Sequence, residues 1–263
     1  MLFAYAANLN FTKEAGMTMH PLLALALSNS NALKVISGLN NFDRDRVCQI
    51  VKAAELGGAT LVDIAVEPNL VRAVRQITDL PVCVSAVEPE LFVPAVAAGA
   101  DLVEIGNFDS FYAQGIKFEA EEVLALTRET RALLPDTTLS VTVPHILSLS
   151  EQVKLAEALV EAGANIIQTE GGTSIKPSHP GVQGLIEKAT ATLAAAHAIS
   201  RAVDVPVLCA SGLSDVTVPM AIAAGAAGVG VGSAINQLNS EVAMVAAVRS
   251  IVEALPRVTT IRF

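Results

Sequence analysis

The chain has 263 residues, 52% apolar and 16% charged, with 17 basic residues against 26 acidic for a formal charge of −9. That composition excludes disorder as the dominant state and is long enough to bury a sizeable core. It has no Lys/Arg cluster to grip nucleic acid or an anionic membrane surface, and its three cysteines, Cys48, Cys83 and Cys209, lack the spacing of a disulfide framework or zinc site.

Residues 1–18 show no periodicity and read as a poorly ordered or mis-assigned extension; the pattern becomes legible from about Met17. The apolar run 22–27 resembles a signal peptide only faintly, because no Lys or Arg separates it from Met17. A first strand is expected at 33–38. A helix follows at 43–56, with Val47, Ile50, Val51 and Ala54 at i, i+3, i+4 and i+7. Gly58-Ala59 then opens a strand at 61–66, and Asp79-Leu80-Pro81 opens one at 82–87. Gly99-Ala100 opens 102–106, and Pro135-Asp136 precedes 139–144. Ser148 with Glu151 forms a capping box ahead of a helix. Gly163-Ala164 opens 166–171, a helix covers 184–202, and Asp204-Val205-Pro206 opens 207–211. Gly225-Ala226 opens 228–233, a last helix covers 239–255, and 257–263 is a tail. The uncharged stretch 216–240 is broken by Pro219 and four glycines, so it is not a membrane span.

Glycine suits the left-handed residue just past a helix, and proline is tolerated at the first residue of a strand. The two kinds of opening alternate, as a repeated double unit would require. Eight consecutive βα units make the fold a single (β/α)8 TIM barrel over 19–256. A doubly wound sheet is the alternative, and it offers no reason for the alternation.

Alternate strand residues face the barrel interior. Val62, Ile64 and Val66 belong under the helices, which sends Asp63, Ala65 and Glu67 inward. The same phase places Lys34, Ile36, Gly38, Cys83, Ser85, Glu104, Ser140, Thr142, Gln168, Glu170, Gly228, Gly230 and Gly232 inside; the seventh strand is apolar on both sides and has no phase. An interior holding Lys34, Asp63, Glu104 and Glu170 is too polar for a purely structural core. These four are the candidate catalytic residues. Lys34, open to a ligand from the C-terminal end, would polarise a carbonyl or hold a carboxylate, and the carboxylates would move protons. The competing reading is an ion pair that only fills the interior. A metal set of Asp63, Glu67, Glu104 and Glu170 has no specific spacing, and no metal is assigned.

Turns after strands seven and eight of such barrels often bind phosphate. Ser211, Gly212, Gly230, Gly232 and Ser233 are the candidate phosphate ligands, the inward glycines clearing space for a ligand. Thr142, His145, Gln168, Gly171 and Gly172 are the candidate substrate contacts. Two long loops share that end. One, 107–118, carries Phe108, Phe111, Tyr112 and Phe118; the other, 171–183, carries Thr173, Lys176 and His179. Cys83 and Cys209 read as buried small hydrophobes.

The run Ala32-Leu33-Lys34-Val35-Ile36-Ser37-Gly38-Leu39-Asn40-Asn41-Phe42-Asp43, with Val62-Asp63-Ile64-Ala65, Gln168-Thr169-Glu170-Gly171-Gly172-Thr173 and Gly230-Val231-Gly232-Ser233, resembles the hypothetical chloroplast reading frame 23 family. The resemblance covers roughly 20–255. It implies an aldolase-type barrel in a cyanobacterial cytosol or a plastid stroma, and it carries over no catalytic residue. Three functions stay open. One is a lyase, isomerase or epimerase of a small phosphorylated metabolite. Another is an oxidoreductase holding FMN at the strand seven and eight turns. The third is a barrel that binds a ligand or partner without turnover. Cofactor and oligomeric state are left unassigned.

Overall fold

A computed structural model describes residues 19–112, 114–172 and 175–257. The expected extension at 1–18, Thr173, and all but the first residue of the expected tail lie outside the described residues. Eight parallel strands close into one barrel in chain order. They are β1 (Ala32–Ile36), β2 (Leu61–Ala65), β3 (Val82–Ala86), β4 (Leu102–Ile105), β5 (Thr138–Thr142), β6 (Ile166–Gln168), β7 (Val207–Ala210) and β8 (Gly228–Val231). β8 stops short of its expected end because Gly232 turns to ψ −83° and opens a short helix.

The helices are α1 (Pro21–Ser28), α2 (Arg44–Gly57), α3 (Pro68–Arg75), α4 (Phe92–Ala97), α5 (Asp109–Tyr112), α6 (Ala120–Leu133), α7 (Leu149–Glu161), α8 (Gly181–Ile199), α9 (Val218–Ala223), α10 (Ser233–Asn236) and α11 (Glu241–Ala254). Asp43 caps α2 by accepting from the N–H groups of Asp45 and Arg46, and the Ser148–Glu151 capping box starts α7. Gly58, Gly99, Gly163 and Gly225 all have φ between 91° and 114°, as the residue leading from helix to even-numbered strand must.

Each of these four turns is tied by an arginine. Arg75 donates to Gly99 O, Arg131 to Gly163 O, Arg201 to Ala224 O and Arg249 to Leu56 O. In every case the arginine lies in, or just beyond, the helix following an even strand. It reaches the end of the helix that follows the next odd strand. The double βα unit is therefore a repeated packing device, as the alternating strand openings suggest.

The strand phases hold. Leu33, Val35, Val62, Ile64, Val103, Ile105, Val229 and Val231 pack under the helices. The seventh strand is now phased as well: Val207 and Cys209 join that outer layer, and Leu208 faces in. At the N-terminal end of the barrel, Ala32, Leu61, Cys83, Leu102, Ile166 and Leu208 meet Leu23 and Leu27 of α1 in a separate apolar cluster. The run that faintly resembles a signal peptide is thus a plug that keeps water out of the barrel floor.

Candidate functional site

Above that floor the interior turns polar in two tiers. The third residue of each even strand is Asp63, Glu104, Gln168 or Gly230, so the repeat brings three polar side chains and a gap to one level. Lys34 on β1 reaches across the barrel. Its Nζ lies 2.5 Å from Glu104 Oε2 and 3.6 Å from Asp63 Oδ2. Ser140 Oγ donates to Glu104 Oε2 at 2.7 Å, and Ser85 Oγ donates to Asp63 Oδ1 at 2.6 Å. Gln168 Nε2 donates to Glu104 Oε1 at 2.7 Å and to Thr142 Oγ1 at 3.1 Å. Two buried acceptors, Asp63 Oδ2 and Gln168 Oε1, have no hydrogen-bond donor among the described residues.

Lys34 is 1% exposed and Glu104 fully buried. Burial alone would lower the Lys34 pKa, but the adjacent Glu104 and Asp63 carboxylates outweigh it and hold the amine above its ordinary range. A protonated amine has no lone pair for Schiff-base attack. At 1% exposure, with its amine bonded to Glu104, Lys34 is closed off and not open to a ligand from the C-terminal end, contrary to the sequence-based expectation. Burial pushes Asp63 up to about 6; Lys34 opposes this and Glu104 adds to it. Burial also keeps Cys83 a thiol.

The upper tier is built by the loops after β4, β5, β6 and β7. Glu170 lies just beyond β6, and its side chain is 4% exposed. Tyr112 Oη donates to its Oε1 at 2.7 Å, and Asp109 N donates to its Oε2 at 3.3 Å. His145 approaches the same Oε1 with its backbone N and its Nδ1, each at 3.2 Å. His145 Nδ1 also lies 3.5 Å from Asp109 Oδ1. Ser211 Oγ donates to Asp109 Oδ2 at 2.9 Å and accepts from Gly172 N at 2.8 Å. Burial raises the Glu170 pKa against its hydrogen bond from His145. For His145, burial is outweighed by the hydrogen bond and charge of Glu170, and its pKa rises. Tyr112 is raised by burial and by Glu170 beside it.

The predicted residues therefore divide. Lys34, Asp63, Glu104, Gln168 and Thr142 form the lower network; Glu170, His145, Gly171, Gly172 and Ser211 form the upper one. Gly172 and Gly212 back onto each other, since a Cβ on Gly172 would stand 2.4 Å from Gly212 Cα. Gly228 and Gly230 do not clear space for a ligand. A Cβ on Gly228 would meet Ala32 O at 2.5 Å, and one on Gly230 would meet Ala210 Cβ at 2.8 Å. Gly230 also pairs within the ladder with Lys34 and Ala210, so it is a packing residue of β8 and not a turn donor. Gly232 is different: a Cβ there would come no closer than 3.6 Å to its surroundings. With Ser233 it opens α10, whose first N–H groups have no partner within the helix.

Glu67, expected to point inward, instead caps α3 by accepting from Asn69 N and Leu70 N. His179 turns to Glu187 on the surface. Phe108, Phe111 and Phe118 pack on one another and dock their loop on the barrel. Asp109 and Tyr112 are the site residues that sequence reasoning missed. Their position just past a barrel strand is the signal that could have found them; Tyr112 is one of the loop aromatics, for which docking on the barrel and stacking on a ligand are equally open in the sequence.

The chain matches the family described as "Protein of unknown function (DUF561)" over residues 19–261. A relative from Cyanophora paradoxa, "Uncharacterized protein ycf23", is 46% identical over 224 residues, 83% of this chain and 90% of the relative. The protein of the same description from Pyropia yezoensis is 39% identical over 229 residues, 87% of this chain and 84% of the relative. Among solved structures, 3-hexulose-6-phosphate synthase superposes with a TM-score of 0.61 at 19% identity, covering 86% of this chain and all of that one. The (S)-3-O-geranylgeranylglyceryl phosphate synthase of Thermoplasma acidophilum, solved with sn-glycerol-1-phosphate, gives 0.59 at 15% identity, covering 90% and 99%. At such identities the likeness is one of fold: these neighbours, among them aldolases and synthases, share the (β/α)8 barrel. On the sequence matches, the chain belongs to the DUF561 family, that of the ycf23 proteins.

Proposed function

We propose that this protein is a lyase or isomerase of a small phosphate-bearing metabolite, working at the C-terminal mouth of the barrel. The observation that carries the reading is the upper tier. An imidazole is oriented by a buried carboxylate at the strand ends where barrel enzymes act, beside the turns after β7 and β8. The phosphate sits at Gly212, Gly232 and Ser233, against backbone N–H groups. The reacting carbon lies over Glu170 and His145, which handle the charge or proton displaced next to a carbonyl. Gly171 and Gly172 border the upper tier beside His145 and Ser211, and Gln168 and Thr142 belong to the network below it. Lys34, Glu104 and Asp63 form the floor beneath, where the fixed ion pair shapes the field and does not bond to substrate. The fold neighbours include enzymes whose names carry phosphorylated compounds, which supports the class without naming the substrate. No helix among the described residues is long and apolar enough to cross a membrane. The setting is a cyanobacterial cytosol or a plastid stroma.

The test is calorimetric titration with inorganic phosphate and sn-glycerol 1-phosphate. Wild type should bind saturably, and Gly232→Asp should abolish binding with an unchanged circular dichroism spectrum. The new carboxylate has room in the structure and repels the anion. No saturable binding by wild type, or equal binding by the variant, would sink the phosphate site. A purified protein with flavin absorbance would favour the FMN reading instead.

A further inference from the structure

Asp109, His145 and Glu170 come from three different loops, and one ligand atom of each lies within 4.8 Å of the others. We infer that this group is a divalent-metal centre, with His145 Nδ1 and one oxygen each from Asp109 and Glu170 as its protein ligands. It rests on the geometry of the three side chains and stands apart from the phosphate reading.

The spacing is the first argument. His145 Nδ1 stands 3.2 Å from Glu170 Oε1 and 3.5 Å from Asp109 Oδ1. A charge-assisted hydrogen bond to a carboxylate is shorter, about 2.7–2.9 Å. Three donors at about 2.1 Å from one ion stand about 3.0 Å apart at right angles and about 3.4 Å apart at tetrahedral angles. The two His145 separations lie close to the edges of such a shell, so an ion could replace the proton that now joins His145 to Glu170.

Charge is the second argument. Two carboxylates converge on one imidazole nitrogen, with side-chain exposures of 12% for Asp109 and 4% for Glu170. A divalent ion seated among them would meet the imidazole nitrogen and an oxygen of each carboxylate at once, whereas a proton on Nδ1 is shared between the two. The carboxylates are also held from outside, as ligands of a metal are. Tyr112 Oη donates to Glu170 Oε1, Ser211 Oγ to Asp109 Oδ2, and Asp109 N to Glu170 Oε2.

One imidazole with two carboxylates suits Mn²⁺, Fe²⁺ or Zn²⁺ better than Ca²⁺, which prefers an all-oxygen shell, or a thiolate-seeking ion. The ion and a proton exclude each other at Nδ1. With the ion seated, polarising a substrate oxygen passes from the imidazole to the metal, acting as a Lewis acid.

The full-length chain, stripped with EDTA and dialysed free of it, is titrated with Mn²⁺ alone and no phosphate. Free ion is followed by electron paramagnetic resonance and heat by calorimetry. One ion should bind per chain. His145→Ala and Asp109→Asn should each weaken binding beyond the ~10–100-fold that an outer-shell residue costs. Asp109→Asn is isosteric and guards against a folding defect in the histidine variant. Asp63→Asn, one tier below, should bind as wild type does. No stoichiometric binding by wild type overturns the inference, as does wild-type affinity in both ligand variants. An equal loss in Asp63→Asn also overturns it, because the ion would then belong to the barrel floor. Because phosphate is absent, the result is independent of the Gly232→Asp titration.

Discussion

Lys34 carries one positive charge between two buried carboxylates, donating to Glu104 and facing Asp63. Deleting one member of such a group leaves uncompensated buried charge, at a cost of about 3–5 kcal/mol. Lys34→Met keeps most of the volume, so a thermal melt should fall by many degrees. Adding Glu104→Gln should restore most of the loss, because the amide fills the same space uncharged. A Lys34→Met protein that melts like wild type would show that the pair is not structural and would return Lys34 to the list of ligand-binding groups. Asp63 gives a pH signature. Its folded pKa of about 6 lies above the ordinary 3.8. Between about pH 4 and pH 6 the folded chain keeps a proton that the unfolded chain has released, so stability falls as pH rises through that window and levels off above it. Asp63→Asn has no proton to lose. The melting temperature of the variant relative to wild type should therefore climb from about pH 4 to pH 6 and then stay constant. A difference independent of pH would show that Asp63 does not titrate there.

Elements were legible in proportion to their length and regularity. The helix expected at 43–56 and its Asp43 cap, the capping box of α7, and the long helices α8 and α11 all appear close to their expected bounds. α3, α4 and α9 have 8, 6 and 6 residues, too few for a 3.6-residue period to declare itself. α1 was hidden for another reason. Its run is apolar on every side, so pattern alone does not say which face is buried. The fold chooses Leu23 and Leu27, one helical turn apart, and leaves Leu22 and Leu25 exposed. Leu23→Ala should cost about 2–5 kcal/mol in a urea titration, the range for emptying a close-packed site. Leu25→Ala should change stability by no more than about 0.5 kcal/mol. Equal effects of the two would mean that α1 does not seal the barrel floor.

At the scale of the whole molecule, the barrel is a fourfold repetition of a double βα unit, and this was written in the chain. Gly58, Gly99, Gly163 and Gly225 mark the helix stops, Pro81 and Pro206 mark strand starts, and the period-2 pattern of β2 phases its neighbours. These signals are local. Each depends on a backbone angle or on alternation within one segment, so the sequence by itself determined the fold class, the strand order and the inward set that includes Lys34, Asp63, Glu104 and Glu170. Only the tertiary structure decided which inward residues are linked. Lys34 lies 70 positions from Glu104, and Asp109 lies 61 from Glu170 and 102 from Ser211. Side-chain reach across the barrel axis, and the path of the loop after β4, bring these atoms together. Neither quantity is encoded in the periodicity of any one segment. For the same reason the structure moved Lys34 into the floor and placed Asp109 and Tyr112 against Glu170 and His145. Burial and pairing are properties of the closed barrel, and they exist only once strands distant in the chain have been wrapped around a common axis.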